Sequence, residues 1–363
     1  MTYKKKYIMS FTSIGDYRFG VMSTVQKLMG NDLEIYAGEK AFDPSIKLIN
    51  TKDLPYTRIK NIYLVNQRIL IQVMPFSHYL FCDVLLLDLN PRVLNVWLLV
   101  FIRKLMGKPV VLWGHAWPRS GVGSKSDIIR GWLRKLAKNI VVYTDTQANE
   151  LTRYDNTLNI TAAPNALYSA DQMNFINDSK RNDIIYVGRL VKEKKPEILL
   201  KSFISACSIS DFLARLVFVG DGSERDRLES IVNKQPKSIS QRIVFCGHIN
   251  DYNTLSELYS HSFVSVSPGY VGLSITQSFS FGVPMIISKN EPHSPEIEAA
   301  IAGSNAIFFE TDDIINLSNK LQLSFKNRND LEKTGNEIVS SCQVKYSVEN
   351  MAEKLKYSML NCI

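Results

Sequence analysis

The sequence predicts an α/β protein with two doubly wound, Rossmann-like domains that face a central cleft. With 363 residues, the chain exceeds the size of one typical domain. Apolar runs of the kind found in buried parallel strands, such as Val84–Leu89, alternate with helical patterns along the chain. Domains of this class bind their ligands beyond the carboxyl ends of the strands, so the chemistry is expected there.

The first domain is predicted to span residues 1–165. Its predicted strands are Tyr7–Phe11, Leu33–Ala37, Ile69–Val73, Val84–Leu89, Val110–Trp113 and Ile140–Tyr143. Its predicted helices are Val21–Met29, Val93–Met106 and Asp127–Lys138. Residues 47–68 have no clear pattern.

The second domain is predicted to span residues 166–342, with the boundary inside Pro164–Asp183. Its predicted strands are Ile184–Val187, Leu216–Val219, Ile243–Cys246, Phe263–Val266, Met285–Ile287 and Ala306–Phe309. Its predicted helices are Pro196–Cys207, Glu224–Asn233, Asn253–Tyr259 and Leu273–Phe281. The architecture repeats that of the first domain although the sequence does not.

Composition and cysteine spacing describe an ordinary soluble protein. Hydrophobic residues make up 45% of the chain and charged residues 21%. The five cysteines are scattered without a CxxC pair, which argues against a disulfide framework or a zinc site and fits a reducing cytosol. Tyr7–Phe11 is too short for the core of a signal peptide, and no apolar run reaches the length of about 18 residues that a membrane span needs. We therefore expect a cytoplasmic protein.

Charge is distributed unevenly between the two halves. Residues 1–165 carry ten more basic than acidic residues, whereas the rest of the chain carries two more acidic than basic ones, which gives the net charge of +8. This asymmetry predicts that the first domain faces an anionic surface or ligand. Nucleic acid is not the expected partner, because the basic residues do not alternate with stacking aromatics.

The stretch Ser265–Pro284 predicts a strand, a glycine turn and a helix in succession. The apolar run Phe263–Val266 ends at Pro268–Gly269, and Gly272 allows a close backbone approach before the helix Leu273–Phe281. Such a turn directs backbone N–H groups at one spot, which suits a phosphate or a pyrophosphate. An ordinary strand-to-helix turn uses the same residues and remains the alternative.

Two other predicted strand ends carry polar loops. Arg189 follows one strand, and Lys194 lies five residues further on, so two cations can converge on one diphosphate. Lys192 and Lys195 are interpreted as solvated. The loop Gly220–Ser223 contains half of a dinucleotide-binding fingerprint, so it is either a tight turn that lines the cleft or a plain helix cap.

Four segments in this order carry a family resemblance: VGRLVKEK, VFVGDGSERDRLE, IVFCGHINDYNTLSELY and SVSPGYVGLSITQSFSFGVPMI. Together they resemble the family-4 type of retaining nucleotide-sugar glycosyltransferases, which have the GT-B architecture. The similarity extends from Ile184 to about Phe309, and it is looser around VVLWGHAWP and VVYTDTQANEL in the first half. It implies that the second domain binds the donor and the first the acceptor. It also implies that a helix near Val348–Leu360, within residues 343–363, crosses back to the first domain.

The resemblance implies roles for individual residues. Arg189 and Lys194 correspond to the diphosphate-binding cations, Gly247–Ile249 to the loop beside the nucleobase, and Gly272–Ser274 to the helix start that meets the diphosphate. His115 corresponds to the histidine of the first-domain cleft, with an ordinary structural role as the alternative. The implied donor-binding positions are Gly188, Gly220, Gly247, His248, Ile249, Gly269, Tyr270, Val271, Gly272, Leu273, Ser274 and Gln277.

The sequence departs from the family at two places. The family has two glutamates separated by seven residues, and Gly269 and Gln277 occupy their positions. Gln277 can still bind ribose hydroxyls, but Gly269 offers only backbone atoms, so the identity of the donor sugar is not inherited. The Gly-Tyr-Val-Gly-Leu form is similar to enzymes that build bacterial surface polysaccharides. The usual glycine pair of the first loop is absent, and Gly15, Asp16 and Arg18 are the candidates on the acceptor side.

The implied reaction needs neither a metal nor another cofactor. Arg189, Lys194 and the first amides of the helix would stabilise the leaving diphosphate, and a diphosphate oxygen would accept the proton of the acceptor. His115 would then orient hydroxyl groups. A nucleotide-sugar epimerase of the same architecture and a non-catalytic nucleotide-binding subunit are the alternatives. The intact pair of cations favours catalysis.

The expected acceptor is a glycan or a lipid-diphosphate-linked saccharide at the cytoplasmic face of an anionic membrane. Two segments of the first domain could contact that surface. In Asp127–Lys138, apolar residues at helical spacing accompany Arg130, Arg134, Lys135 and Lys138, and Arg92–Lys108 is similarly apolar with basic ends. The alternative is that both are core-facing helices with solvated basic faces.

Overall fold

The computed structural model describes residues 5–43, 47–118, 120–176, 180–209 and 211–362. The chain divides into two compact units, one formed by Met1–Leu167 with Tyr346–Ile363 and the other by Tyr168–Lys345. Each unit is an α/β domain on a sheet of mainly parallel strands. The predicted fold class, two Rossmann-like domains, is confirmed.

The first unit contains an eight-stranded sheet among its described residues. Its strands are β1 (Tyr7–Phe11), β2 (Leu33–Gly38), β3 (Thr57–Leu64), β4 (Ile69–Val73), β5 (Val84–Asp88), β6 (Val110–Trp113), β7 (Lys138–Val142) and β8 (Asn159–Ala162). The strand order is β4-β3-β2-β1-β5-β6-β7-β8. The β3–β4 pair is antiparallel and the other pairs are parallel.

Helices of the first unit cover both faces of this sheet. The first five are α1 (Phe19–Met29), α2 (Phe76–Phe81), α3 (Leu94–Leu105), α4 (Lys125–Ala137) and α5 (Asp145–Tyr154). One apolar cluster joins α1 to one face of the sheet, and a second joins α3 and α4 to the other. The sheet is therefore buried on both sides, as its near-continuous apolar strands require.

The second unit contains a six-stranded, fully parallel sheet among its described residues. Its strands are β9 (Asp183–Val187), β10 (Arg215–Val219), β11 (Ile243–Phe245), β12 (Ser262–Ser267), β13 (Met285–Ser288) and β14 (Ala306–Phe309). Its helices are α6 (Pro196–Ala206), α7 (Arg225–Asn233), α8 (Lys237–Ser240), α9 (Tyr252–Ser260), α10 (Ser274–Ser280), α11 (Ile314–Lys326), α12 (Arg328–Lys333) and α13 (Gly335–Tyr346). The order is β11-β10-β9-β12-β13-β14.

The last helix, α14 (Val348–Leu360), belongs to the first unit. It packs along α1, where Gly20 leaves room for Val348. Met351, Leu355 and Met359 of α14 are buried in the same cluster as the sheet. The predicted return of the terminal helix to the first domain is thus confirmed.

Eight strands and helices of the described residues are absent from the sequence-based prediction: β3, β8, α2, α5, α8, α11, α12 and α13. In β3 the charged Arg58 and Lys60 occupy exposed positions between buried ones, which hides the strand in an apolar scan. In α5 only Leu151 is buried, and the helix is capped by Thr144, whose side chain accepts a hydrogen bond from the Gln147 amide. The stability of β3 and α5 therefore comes from packing within the unit more than from a local apolar pattern.

The interpretation of the α4 arginines as surface cations is wrong. Arg134 is buried and forms an ion pair with the equally buried Asp127 at 3.2 Å. Arg130 Nη1 donates to the carbonyl oxygens of Leu89 at 3.0 Å and His115 at 2.9 Å. These arginines therefore satisfy backbone carbonyl and carboxylate groups inside the unit and are not free surface cations.

Arg103 of α3 is likewise a buried structural residue. Its guanidinium donates to the carbonyl oxygens of Tyr79, Leu80, Cys82, Asp83 and Pro109. Several of these carbonyls lie at the end of α2, where a helix leaves its last acceptors unpaired. Arg103 therefore caps α2 and does not face solvent.

The solvent side of α3 and α4 is apolar instead. The two helices pack side by side, and their outward residues form what we call the apolar face: Leu94, Leu98, Phe101, Leu105, Ile128, Ile129 and Trp132. Leu105 is 74% exposed and Trp132 is 61% exposed. An outer helix of an α/β domain ordinarily presents polar residues there. Among the described residues, no helix combines the length and the apolar character needed to cross a bilayer.

Candidate functional site

In the second unit the strand order reverses between β9 and β12. From β9 the chain proceeds to β10 and β11 on one side, and β12 then pairs with the other side of β9. The connections that leave the carboxyl ends of β9 and β12 therefore run to opposite sides of the sheet. Open α/β sheets bind ligands at such a switch point, so this edge is the candidate site.

Glycines allow the loops at this edge to approach closely. A Cβ atom on Gly269 would lie 2.6 Å from the Glu193 carbonyl oxygen. A Cβ atom on Gly220 would overlap the Gly188 carbonyl, and the Gly220 amide donates to the Gly247 carbonyl at 2.7 Å. Glycine is thus required wherever two of these backbones meet. The loops after β9, β10, β11 and β12 form one continuous edge.

Lys194 lies between the two loops of the switch point. Its Nζ donates to the Tyr270 carbonyl oxygen at 2.8 Å and lies 3.4 Å from the centre of the Tyr270 ring. Burial, and after it the charge of Arg189, lower the pKa of Lys194 to about 8. A partly buried ammonium group that is held by one carbonyl and one ring keeps further donor capacity for an anion.

Arg189 is exposed at the carboxyl end of β9. Its backbone is fixed, because the Tyr186 hydroxyl donates to the Arg189 carbonyl oxygen at 2.8 Å. Its charge lies close enough to Lys194 to lower the pKa of that residue. The switch point therefore combines a guanidinium fork with a point charge, and both suit a diphosphate.

The loop after β11 contains the predicted nucleobase-binding residues. Gly247 has a positive φ of 73°, which favours glycine there. His248 is exposed, whereas the Ile249 side chain packs on the apolar cluster that includes Val219. The His248 side chain and the backbone of this loop are thus available to a ligand beside the edge, whereas the Ile249 side chain is not.

The helix after β12 begins at Ser274, with Leu273 as its capping residue. It ends at Ser280, one residue before the predicted end. The first amides of a helix have no partner within the helix, so Gly272, Leu273 and Ser274 present N–H groups at the switch point. The helix has seven residues, so its dipole is short.

Gln277 lies on α10 with its side-chain amide turned toward an aromatic cluster. Its Nε2 donates to the Tyr168 hydroxyl at 2.9 Å. Tyr168 packs edge-on against Tyr252 and Phe281, with ring centres 5.4 Å from each. The amide orientation is therefore fixed by a residue that sequence reasoning did not connect with it.

Lys195 is not solvated, contrary to the sequence-based interpretation. Its Nζ forms ion pairs with Glu291 and with Asp312, each at 2.6 Å. Its backbone adopts a left-handed conformation between the turn Lys192–Lys194 and α6. Lys195 therefore ties this loop to the segments after β13 and β14.

The first unit has its own switch point, between β1 and β5. The Thr12 amide donates to Asp88 Oδ2 at 2.6 Å across it. Burial raises the pKa of Asp88, while the Thr12 bonds and the Arg18 charge oppose that rise. A hydrogen bond to the Asp88 carboxylate thus links the carboxyl ends of β1 and β5 at this switch point.

Aromatic side chains surround Arg18 beside that switch point. Arg18 Nη2 donates to the Tyr143 hydroxyl at 2.9 Å, and its guanidinium carbon lies 4.3 Å from the centre of the Trp113 ring. The His115 ring centre lies 4.7 Å from that of Tyr143. His115 and Arg18, predicted from different motifs, are brought to the same aromatic group.

Gly15 and Asp16 belong to the loop between β1 and α1. Gly15 forms an antiparallel bridge with Leu48, and the Asp16 amide donates to the Lys47 carbonyl at 2.9 Å. These bonds fix the backbone of the loop that carries Arg18. In the described part of the chain, no three or more His, Cys, Asp or Glu side chains are grouped to hold a metal ion.

The sequence of the second unit matches a known family. Residues 170–338, slightly less than half of the chain, fit the family model described as "Glycosyl transferases group 1". The match includes all six strands and the switch point. The second unit is therefore similar in sequence to the group 1 glycosyl transferases.

Solved structures show the same fold over almost the whole chain. HepE of Anabaena in complex with UDP is 11% identical, with 98% of this chain and 99% of that chain covered and a TM-score of 0.71. A glycosyltransferase of Rickettsia africae is 14% identical, with 99% and 100% covered and a TM-score of 0.69. The lipopolysaccharide outer core galactosyltransferase WaaB is 12% identical, with 99% and 100% covered and a TM-score of 0.67. The chain has the GT-B glycosyltransferase fold. Curated protein sequences include no match to it.

Sequence reasoning missed three sets of contacts in the second unit. They are the Tyr270 ring against Lys194, the Lys195 ion pairs, and the hydrogen bonds of His293 with Val271 and Ser288. All but the bond between His293 and Ser288 join residues more than twenty positions apart. The residue types alone do not predict the contact of Tyr270 with Lys194 or the ion pairs of Lys195. His293 follows the predicted strand Met285–Ile287, and a polar residue in that place is a usable signal for a site residue.

Proposed function

We propose that the protein is a retaining glycosyltransferase that moves a sugar from a nucleotide-sugar donor to a saccharide acceptor. The observation that supports this most is the cation pair Arg189 and Lys194 at the switch point of a unit that is similar in sequence to the group 1 glycosyl transferases. HepE, which has the same fold, was solved with UDP and with UDP-glucose. On this proposal the second unit binds the donor.

The main catalytic contribution is electrostatic. As the anomeric carbon breaks its bond to the diphosphate, negative charge grows on the departing oxygen. Arg189, Lys194 and the amides of Gly272–Ser274 stabilise that charge. The acceptor hydroxyl attacks from the face of the leaving group, forms the new glycosidic bond and passes its proton to a diphosphate oxygen. His115 orients hydroxyl groups and is not a base.

Donor recognition differs from the family pattern at Gly269. Its Cβ position is occupied by the Glu193 backbone, so a glutamate at 269 is incompatible with this loop packing. The sugar is therefore held by backbone atoms of the loop. Gln277 takes the ribose with its amide oxygen, because its amide nitrogen donates to Tyr168.

The acceptor is a lipid-linked saccharide in the synthesis of capsule, O-antigen or exopolysaccharide. Arg18, with Gly15 and Asp16 on the same loop, contributes the acceptor side. The aromatic rings of Trp113 and Tyr143 around Arg18 suit the apolar faces of a sugar.

The protein docks on an anionic membrane surface through the apolar face of α3 and α4. The exposed lysines Lys104, Lys125, Lys135 and Lys138 accompany that face. The single acid of the two helices, Asp127, is buried with Arg134. Exposed apolar side chains beside cations, with no exposed acid among them, suit a lipid interface with anionic headgroups.

Vesicle cosedimentation tests the docking surface. Vesicles that contain phosphatidylglycerol should bind the protein, and neutral vesicles should bind it weakly. The triple variant Leu98→Ser, Phe101→Ser, Leu105→Ser should lose binding, whereas Leu323→Ser, an equally exposed position of the second unit, should not. Absence of binding to anionic vesicles at low salt would contradict the docking and favour a soluble acceptor.

Product analysis tests the reaction. The protein is screened by thermal shift against UDP, GDP and ADP, then incubated with the matching nucleotide sugars and an acceptor panel. NMR of the product should show the anomeric configuration of the donor. Free sugar and diphosphate without any acceptor would indicate an epimerase. Nucleotide binding without turnover would indicate a non-catalytic subunit.

A further inference from the structure

The segment Glu291–Ser294, which follows β13, touches both loops of the switch point. At its first residue, Glu291 pairs with Lys195 beside the loop of the cations. At its other end, His293 and Ser294 both bond to Val271 in the loop after β12. One short segment thus connects the two walls of the proposed donor site.

The hydrogen bonds of His293 define its protonation state. Its Nδ1 lies 3.0 Å from the Val271 amide nitrogen, and its Nε2 lies 2.9 Å from the Ser288 carbonyl oxygen. An amide can only donate and a carbonyl can only accept. The neutral imidazole with its proton on Nε2 is the one form that satisfies both partners.

Val271 is held through both of its backbone groups. Its amide donates to His293, and its carbonyl oxygen accepts from the Ser294 amide at 2.9 Å. Its side chain is fully buried. Val271 lies between Tyr270, whose carbonyl holds Lys194, and the amides that begin α10. Fixing Val271 therefore fixes the groups on either side of it.

We propose that His293 is a positioning residue of the donor site, which holds the loop after β12 in its binding conformation only while its imidazole is neutral. The proposal rests on the proposed function in so far as that loop binds the donor. A protonated imidazole would direct an N–H group at the Val271 N–H group. The bond would break, and the loop would lose its support beside Lys194.

Two charged groups face His293: Glu291 on its own segment and Lys194 on the turn across from it. Burial, with the Lys194 charge, lowers the pKa of His293, although the Ser288 bond and Glu291 oppose this. The neutral form therefore holds the loop at neutral pH, and protonation in acid releases it. Affinity for the donor should fall as the pH decreases through the pKa of His293.

NMR of a sample labelled with 15N-histidine tests the geometry without any ligand. The chain has five histidines, so the spectrum is simple, and His293→Asn identifies the signal. The neutral Nε2–H tautomer is expected, with a titration below the ordinary histidine range. An Nδ1–H tautomer, or an ordinary titration, would overturn the proposal whatever the protein binds.

Calorimetry with UDP tests the consequence for binding. From pH 7.5 to 5.0 the wild-type affinity should weaken by about five- to tenfold more than that of His293→Asn, as expected for losing one supporting hydrogen bond. The asparagine of this variant can still accept a hydrogen bond from the Val271 amide, and it does not titrate. Comparison with this variant therefore also corrects for the protonation of UDP itself. His293→Ala should bind weakly at every pH, and His293→Asn should restore most of that loss.

A matched control and the stability of the variants complete the test. His78→Asn, in the first unit, should keep the wild-type pH profile. Thermal unfolding of each variant shows whether the domain remains folded. Identical pH profiles for wild type and His293→Asn would overturn the proposal. If UDP, GDP and ADP all fail to bind the wild type, the proposed function fails, while the NMR result still decides the role of His293.

Discussion

At the switch point of the second unit, glycines bring the loop backbones into contact and the Lys194 side chain joins them, whereas at that of the first unit the contacts are made by side chains. Gly269 lies on the Glu193 backbone and Gly220 lies on the Gly188 backbone. In the first unit, Asp88 bridges to Thr12, and Arg18 stacks on Trp113. Two sheets of one fold class thus build different crevices.

On the proposed function, this difference corresponds to donor binding by the second unit and acceptor binding by the first. Backbone amides with Arg189 and Lys194 suit a diphosphate, which nucleoside diphosphate sugars share whatever their sugar, so this edge can stay the same among such donors. Aromatic rings with a guanidinium suit the faces and hydroxyls of a sugar, which vary among acceptors. The predictions below test each side of this comparison, beginning with the largest expected effect.

Removal of either cation should abolish most of the reaction. Lys194→Ala or Arg189→Ala should lower turnover by about a hundredfold or more, since a transition-state cation is lost. Lys192→Ala, on the same turn but exposed, is the matched control and should retain activity. Steady-state kinetics with the folded variants decide this, and a wild-type rate for Lys194→Ala would remove the diphosphate assignment.

Restoring the family glutamate should harm the site. In Gly269→Glu, and also in Gly269→Ala, the new Cβ meets the Glu193 carbonyl, so the two loops must separate. UDP affinity should fall by about tenfold or more, in line with overpacking of a tight contact. Gly131→Ala in α4 has ordinary space for its Cβ and should bind UDP as the wild type does. Tighter binding by Gly269→Glu would show that the loop packing is not as described.

Loss of the ribose contact should have a moderate effect. Gln277→Ala should raise the donor KM by an amount equivalent to about 1–2 kcal/mol, because the ribose hydroxyls lose their partner. Gln277→Glu should be tolerated, since its carboxylate can accept from both ribose and the Tyr168 hydroxyl. If donor KM does not change in Gln277→Ala, the alignment of Gln277 with the second family glutamate is wrong.

Removal of metal should have no effect. The two cations and the loop amides supply the positive charge that a metal ion would otherwise provide. Activity measured in EDTA should equal that in buffer alone. Complete loss in EDTA that manganese restores would reveal a metal-dependent step.

Much of the fold could be predicted from local pattern. β5 is a nearly continuous apolar run, which is typical of a strand that is buried on both faces. The helix α14 has the bounds that the sequence predicts, Val348–Leu360. The loops with Arg189 and with Gly269–Ser274 could be predicted because glycine or proline residues mark the ends of the strands before them. Elements such as β3 and α5 were missed because their stability comes from neighbours in the unit.

Long-range partners could not be predicted. Lys195 looked solvated because Glu291 and Asp312, its partners, lie far along the chain. Arg134 looked like a surface cation, although Asp127 is seven residues earlier and therefore on the same helical face. That spacing was a usable signal. The contact between the Tyr270 ring and Lys194 could not be predicted from the sequence, because it depends on how two loops pack.

The most direct test of the donor assignment uses the pKa of Lys194. Calorimetry with UDP, GDP and ADP is run from pH 6.5 to 9.5 on the wild type and on Lys194→Arg. Because the pKa of Lys194 is about 8, its ammonium loses its charge above that pH, and wild-type affinity should decrease as the pH rises through about 8. Arginine keeps its charge, so Lys194→Arg should show a flat profile over the same range. Parallel profiles for the two proteins would contradict the claim that Lys194 holds the diphosphate.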